Sequence, residues 1–291
     1  MDKKLASVIK YFAFFGYFPS FDDVYTFFPI KISKKRLKTI YEAKKYTVGE
    51  YSIKQSQMSK LKSQISKKKL SNWRFRAYVK LINLFPQIKL VGLSGSISMM
   101  NAGPEDDIDL FIITARKKLF TGRFIALVLA QLLGLRRKRE QDVIASDRRE
   151  RGNLKKEIAS SSLTPRNDKV ADKVCLNLFF DEKNLKVPRF KQTLFVGHEV
   201  LQMKPVINKN YTYERFLEAN KWVFGLFPNS VPPVISSGAR NLAKRNKLGD
   251  WLENLLKNLQ LKLINQHKTT EIVTNTQLWF HPIDFEKKIK L

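Results

Sequence analysis

The sequence predicts an α/β (α+β) fold, a small mixed sheet flanked by helices, from three observations. Two short aliphatic runs, 88–93 and 108–113, are bounded by turn residues and too brief for helices, so both read as buried strands. A third run of the same kind, Val174-Cys175-Leu176-Asn177-Leu178-Phe179-Phe180, supplies a neighbouring strand. Longer segments with helical spacing precede, separate and follow these runs.

The elements follow in chain order. Residues 1–55 read as a helical unit closed by a hairpin. Leu5 to Phe15 gives a first helix. Ser20-Phe21-Asp22-Asp23 opens a second, with Ser20 as N-cap and acids in its first turn. Ser33 caps a third, which carries Lys34, Lys35, Arg36 and Lys38 and ends near Ala43. Tyr46 to Ile53 reads as a hairpin turning at Gly49-Glu50. Three helices and a hairpin resemble a winged helix, and that resemblance would set the third helix near DNA phosphates. A packing module with a solvated basic face is the competing reading.

Residues 56–205 form the expected core. A lysine-rich helix (Lys60, Lys62, Lys67, Lys68, Lys69) runs into Trp73, Phe75, Tyr78, Leu81 and Leu84 and stops before Pro86. Phe120 to Leu135 is a largely apolar helix with Arg123 near its start. Residues 136–172 are dominated by charged and small polar side chains, the composition of a disordered insertion. Within it, 143–154 resembles 234–242: both begin Val-Ile-small-Ser and end Asn-Leu, like short translated repeats. Residues 206–291 are expected to be helical, with apolar stripes over 211–223 and 251–261 that read as core.

The chemistry is concentrated in Leu93-Ser94-Gly95-Ser96 and, about a dozen residues on, Asp107-Ile108-Asp109-Leu110. Side chains two apart on a strand share a face, so Asp107 and Asp109 should point the same way. Like charges held that close repel unless a cation lies between them, and an oxygen-ligated divalent ion is the simplest resolution. Gly95 permits a sharp turn and close approach of a ligand. The amides from Ser96 onward, opening a short helix, would face a phosphate. The alternative is that both acids end an acidic loop (Glu105, Asp106) and cap a strand. Asp109 weighs against it, because an acid within an apolar strand is costly unless paired or metal-bound.

The pattern over 88–114, extended more weakly to about 182, resembles the signature of the DNA polymerase beta-like nucleotidyltransferase superfamily. The resemblance implies a nucleotidyltransferase core in which Gly95 and Ser96 hold a nucleoside triphosphate. Asp107 and Asp109 would be catalytic and bind Mg²⁺ or Mn²⁺. It also implies a third carboxylate on a neighbouring strand. There, the strand at 174–180 offers only Asn177, with Asp181 and Glu182 just past its end. Asn can ligate but cannot act as a base. Asp181 reaches the site only if the strand is short or bulged. Arg123 is a further candidate, for a substrate phosphate, or else faces solvent.

At 291 residues with 43% hydrophobic content, the chain can bury more than one core. A formal charge of +28 and a pI near 10.1 favour a polyanionic partner, so nucleic acid is a second candidate beside the nucleotide. The lone cysteine, Cys175, excludes an intrachain disulfide, and His198, His267 and His281 show no zinc spacing. His198 reads as a structural histidine. No signal peptide is evident and the longest apolar run, 124–135, is too short to span a bilayer. A cytoplasmic protein without membrane contact is expected. The function so read is metal-dependent transfer of a nucleotidyl group to a hydroxyl acceptor. Its alternatives are a nucleic-acid-binding regulator or a toxin–antitoxin component with a weakened nucleotidyltransferase core.

Overall fold

The computed structural model describes residues 1–45, 51–136, 173–232, 247–266 and 271–280. The N-terminal helices are α1 (Asp2–Phe14), α2 (Phe21–Thr26) and α3 (Lys34–Lys45). Ser20 starts α2 with a capping box: its hydroxyl accepts from the Asp23 amide, and the Asp23 carboxylate accepts from the Ser20 amide. Then come α4 (Tyr51–Ser71) and α5 (Trp73–Asn83), β1 (Ile88–Leu93), α6 (Gly95–Ser98), β2 (Ile108–Thr114) and α7 (Leu119–Leu132). The chain continues with β3 (Val174–Asp181), α8 (Leu194–Gln202), β4 (Lys204–Asn208), α9 (Thr212–Ala219), α10 (Trp222–Leu226), α11 (Lys247–Asn265), β5 (Ile272–Val273) and β6 (Gln277–Trp279).

The fold is mixed α+β. Among the described residues its sheet has six strands, in the order β4-β1-β2-β3-β6-β5. The pair β2–β3 is parallel, and the other four pairs are antiparallel. Both sheet faces are covered, which is why the central strands read as continuous apolar runs. Ile108, Leu110 and Ile112 face α5 and α7, packing with Phe75, Tyr78 and Ile82. Phe111 and Ile113 face the other way, into a cluster with Val196 and Val200 of α8 and Phe216 of α9. A third cluster, centred on Phe12, Val24, Phe28 and Leu37, joins the N-terminal helices to the core through Phe227. Asn229 ties the same seam: its side-chain oxygen accepts from the Ile32 amide and its Nδ2 donates to the Phe28 and Ile30 carbonyls.

Several expectations change. Residues 46–50 lie outside the described residues, but Tyr51–Ile53 open α4, so the second arm of the expected hairpin is helical. The 137–172 segment and the two repeat-like stretches also lie outside the described residues. The C-terminal region is not only helical: β5 and β6 extend the sheet, though two and three residues are too short to show a period in sequence. The sheet itself continues past residue 205 to the end of β4.

The stripe on α9 is core, with Phe216 and Leu217 buried. The stripe on α11 is core only in part: Leu256 is buried and Leu261 packs against the core, while Trp251, Leu255 and Leu259 are exposed and Glu253 and Gln260 are buried. The buried polar pair has a clear cause. Glu253 accepts from the amides of Phe120 and Thr121 and from the Thr121 hydroxyl, satisfying the first turn of α7. Gln260 donates to the Phe120 carbonyl and accepts from Arg123. Among the described residues, no helix is long and apolar enough to cross a membrane.

Candidate functional site

The site lies where the turn after β1 meets the start of β2. Leu93 pairs with Leu110, and the Ser94 amide donates to the Asp109 carbonyl at 3.0 Å, so the two segments are bound edge to edge. Gly95 sits at φ +60°, a left-handed conformation that favours glycine. A Cβ there would stand 2.6 Å from Asp109 Oδ2. The missing side chain is what lets the carboxylate lie against the backbone. Asp107 and Asp109 line one cleft together with Gly95 and Ser96.

The acidic loop folds back over the turn. Asp106 Oδ2 accepts from the Ser96 hydroxyl at 3.0 Å and from the Gly103 amide at 2.9 Å. Lys69 holds this loop from below. Its buried ammonium donates to the carbonyls of Pro104 and Asp106, and nearby Ser66 Oγ accepts from the Ala102 amide. Nothing distinguished Lys69 among its many lysine neighbours in sequence.

A further acid, Glu199 of α8, lies against the same turn. Its Oε2 accepts from the Gly95 amide at 3.2 Å. The sequence analysis gave it no role. The usable signal was one carboxylate, next to His198, inside the otherwise apolar run 194–201. Burial raises the pKa of Glu199, and the bond from Gly95 opposes that rise. Burial also pushes Asp109 up to about 7. A hydrogen bond with Cys175 opposes the rise, while Glu199, Asp107 and Asp106 add to it. The cleft is thus lined by Glu105, Asp106, Asp107, Asp109 and Glu199. Lys191 is its sole lysine among the described residues.

The remaining candidates separate. Cys175 pairs with Asp109 across the β2–β3 ladder, and Leu178 pairs with Phe111. Two residues of β2 therefore oppose three of β3; alternation sets Cys175 and Asn177 on the cleft wall, and the bulge lets the adjacent Leu178 line it as well and turns Asp181 to the other face. The Asn177 amide donates to the Cys175 sulfur. Asp181 lies six positions further along β3, roughly 20 Å from Cys175. It ends the strand, accepting from the amides of Lys117 and Lys183 at 2.6 and 2.7 Å. The bulge does not bring it to the cleft, so its role is to fix the loop after β2. Burial pushes its pKa up to about 6, against those two amides. Arg123 faces neither the cleft nor open solvent. It bonds Gln260 and stacks 4.8 Å from the Phe280 ring, on the far side of the sheet. His198 is sandwiched between Tyr11 and Phe27, with ring centroids 3.8 and 4.1 Å away. Burial pushes its pKa down to about 3, so it is a neutral structural ring.

Among the described residues, no group of three or more His, Cys, Asp or Glu side chains converges as a ready metal cage. The donors at hand are carboxylate oxygens. They suit a hard divalent ion that takes one or two protein carboxylates and completes its shell with phosphate oxygens and water. No family model matches the chain, and no curated protein or solved structure matches it either. Fold and site together define a mixed α+β protein with a carboxylate-lined cleft on one face of its sheet.

Proposed function

We propose that this cleft is the site of a metal-dependent nucleotidyltransferase. The contact of Asp109 with Gly95 at the cleft wall, with Asp107 beside them, carries the proposal. A carboxylate forced near neutrality by burial and by other acids is stabilised as an anion when a cation joins it. Asp107 and Asp109 would hold Mg²⁺ or Mn²⁺, which neutralises phosphate charge when bound. Gly95 and Ser96 would seat the triphosphate. In transfer, the acceptor hydroxyl oxygen bonds to the α-phosphorus and the α–β bridging P–O bond breaks. Pyrophosphate leaves, and the hydroxyl proton passes to water at the acid-lined mouth.

The same acids impose a condition. Five carboxylates against one lysine repel a free triphosphate, so nucleotide enters only with its metal. Incubation with each labelled nucleoside triphosphate and Mn²⁺, followed by product separation, tests the reading. Pyrophosphate release that Asp107→Asn and Asp109→Asn abolish supports it, and equal release by those variants refutes it.

One observation favours a second reading, a nucleic-acid-binding regulator with a weakened core. Asn177 occupies the cleft wall on the strand expected to carry a third acid, and Asp181 points elsewhere. Salt-sensitive retention on DNA without turnover of any triphosphate would favour that reading over the enzyme.

A further inference from the structure

The cleft has a volume of about 700 Å³, and its acidic rim is only one end of it. Phe111 stands two residues beyond Asp109 on the same face of β2, roughly 7 Å along the strand. From there the lining turns apolar: Leu178, Phe180, Met203, Phe216 and Trp279. Phe111, Phe180 and Phe216 pack ring on ring at 5.0–6.1 Å and form the closed floor of this end, while the half-buried Leu178, Phe195 and Ile272 give it its accessible apolar wall. A phosphate chain would lose its hydration there and meet no cation. A nucleic-acid end would carry its phosphates past the acids at the mouth. What fits is an uncharged ring or aliphatic body, held by area burial and ring contacts.

We propose that this apolar chamber is the acceptor subsite and takes a small apolar alcohol, its hydroxyl directed to the Asp109 end. The assignment of the ligand as acceptor rests on the nucleotidyltransferase reading, while the chamber's ligand class rests on its lining alone. The +28 surplus does not enter, because the charge in the cleft is acidic.

The test uses the full chain and the neutral probe N-phenyl-1-naphthylamine, without metal or nucleotide. Saturable one-to-one fluorescence enhancement is expected, weakened at least tenfold by Leu178→Trp, which fills the chamber. An unchanged thermal midpoint shows that this variant folds. Enhancement indifferent to Leu178→Trp would place the probe on exposed apolar surface, such as that of α11, and overturn the proposal; so would no enhancement. A second experiment needs no core substitution: Mn²⁺ with ATP is added to the probe complex. Retained probe supports a separate acceptor chamber. Displacement means that the base occupies the chamber, which overturns it. Asp107→Asn/Asp109→Asn is expected to keep probe binding. A failure of the nucleotidyltransferase reading alone would therefore leave this binding intact.

Discussion

Gly95 and Asp109 touch across the β1–β2 junction so closely that a single methyl on Gly95 would lie 2.6 Å from the Asp109 carboxylate. Fourteen positions of sequence, including a one-turn helix and the acidic loop, separate two residues that share one wall of the cleft.

Gly95→Ala tests that contact. The left-handed backbone costs about 1–2 kcal/mol for an L side chain, and the clash adds to it. A loss of about 2–3 kcal/mol in urea unfolding is expected, with metal–nucleotide binding weakened at least tenfold. Wild-type stability and affinity would show that the turn and carboxylate are not tightly coupled.

Asp109 sets a pH dependence. Its pKa in the fold, about 7, lies above the 3.8 of the unfolded chain. Its protonated form therefore favours folding fully below pH 3.8, and that contribution fades as pH rises to about 7. Asp109→Asn is expected to flatten this decline and to exceed wild-type stability at pH 8 by about 2 kcal/mol. Urea titrations at pH 5 and pH 8 measure both effects. An identical pH slope in the variant would contradict the burial of this acid.

Glu199 and Asp106 already bond to Gly95 and Ser96, where phosphate oxygens are proposed to sit. Removing one charge should relieve competition and repulsion. Glu199→Gln is expected to tighten Mn²⁺–nucleotide binding roughly tenfold, on the scale of one charge-assisted hydrogen bond. Weaker binding in calorimetry would instead make Glu199 a contributor to the cation site.

Glu253 caps α7 from α11 with three hydrogen bonds in a buried setting. Glu253→Ala leaves two helix amides unsatisfied, and a loss of about 2–4 kcal/mol is expected by thermal or urea unfolding. A loss under 0.5 kcal/mol would show that α11 does not hold the start of α7.

Local signals were legible in sequence. Ser20 announced its helix as an N-cap before acids in the first turn, and the runs 88–93, 108–113 and 174–180 announced strands by their largely apolar content. Strand alternation led to the expectation that Asp107 and Asp109 share a face, and both line the cleft, while the contact of Asp109 with Gly95 comes from the β1–β2 pairing. Tertiary partnerships were not legible. Glu199 reaches Gly95 across 104 residues, and Lys69 reaches the acidic loop across 35–37, distances at which no local period operates. The α11 stripe was legible only in part, through Leu256 and Leu261, for the same reason. Apolar spacing reports an amphipathic helix, while the unsatisfied amides of α7 decided which face turned inward. The β3 bulge, which turns Asp181 to the other face and lets Leu178 line the cleft, depends on register and has no sequence mark.

The most direct measurement is calorimetric titration of Mn²⁺ with a non-hydrolysable nucleoside triphosphate into the wild-type chain and the Asp107→Asn/Asp109→Asn variant at pH 8. Binding by the wild type that requires Mn²⁺, and that drops at least a hundredfold in the variant, is the expected result. Equal affinity in the two chains, or nucleotide binding indifferent to Mn²⁺, would contradict it.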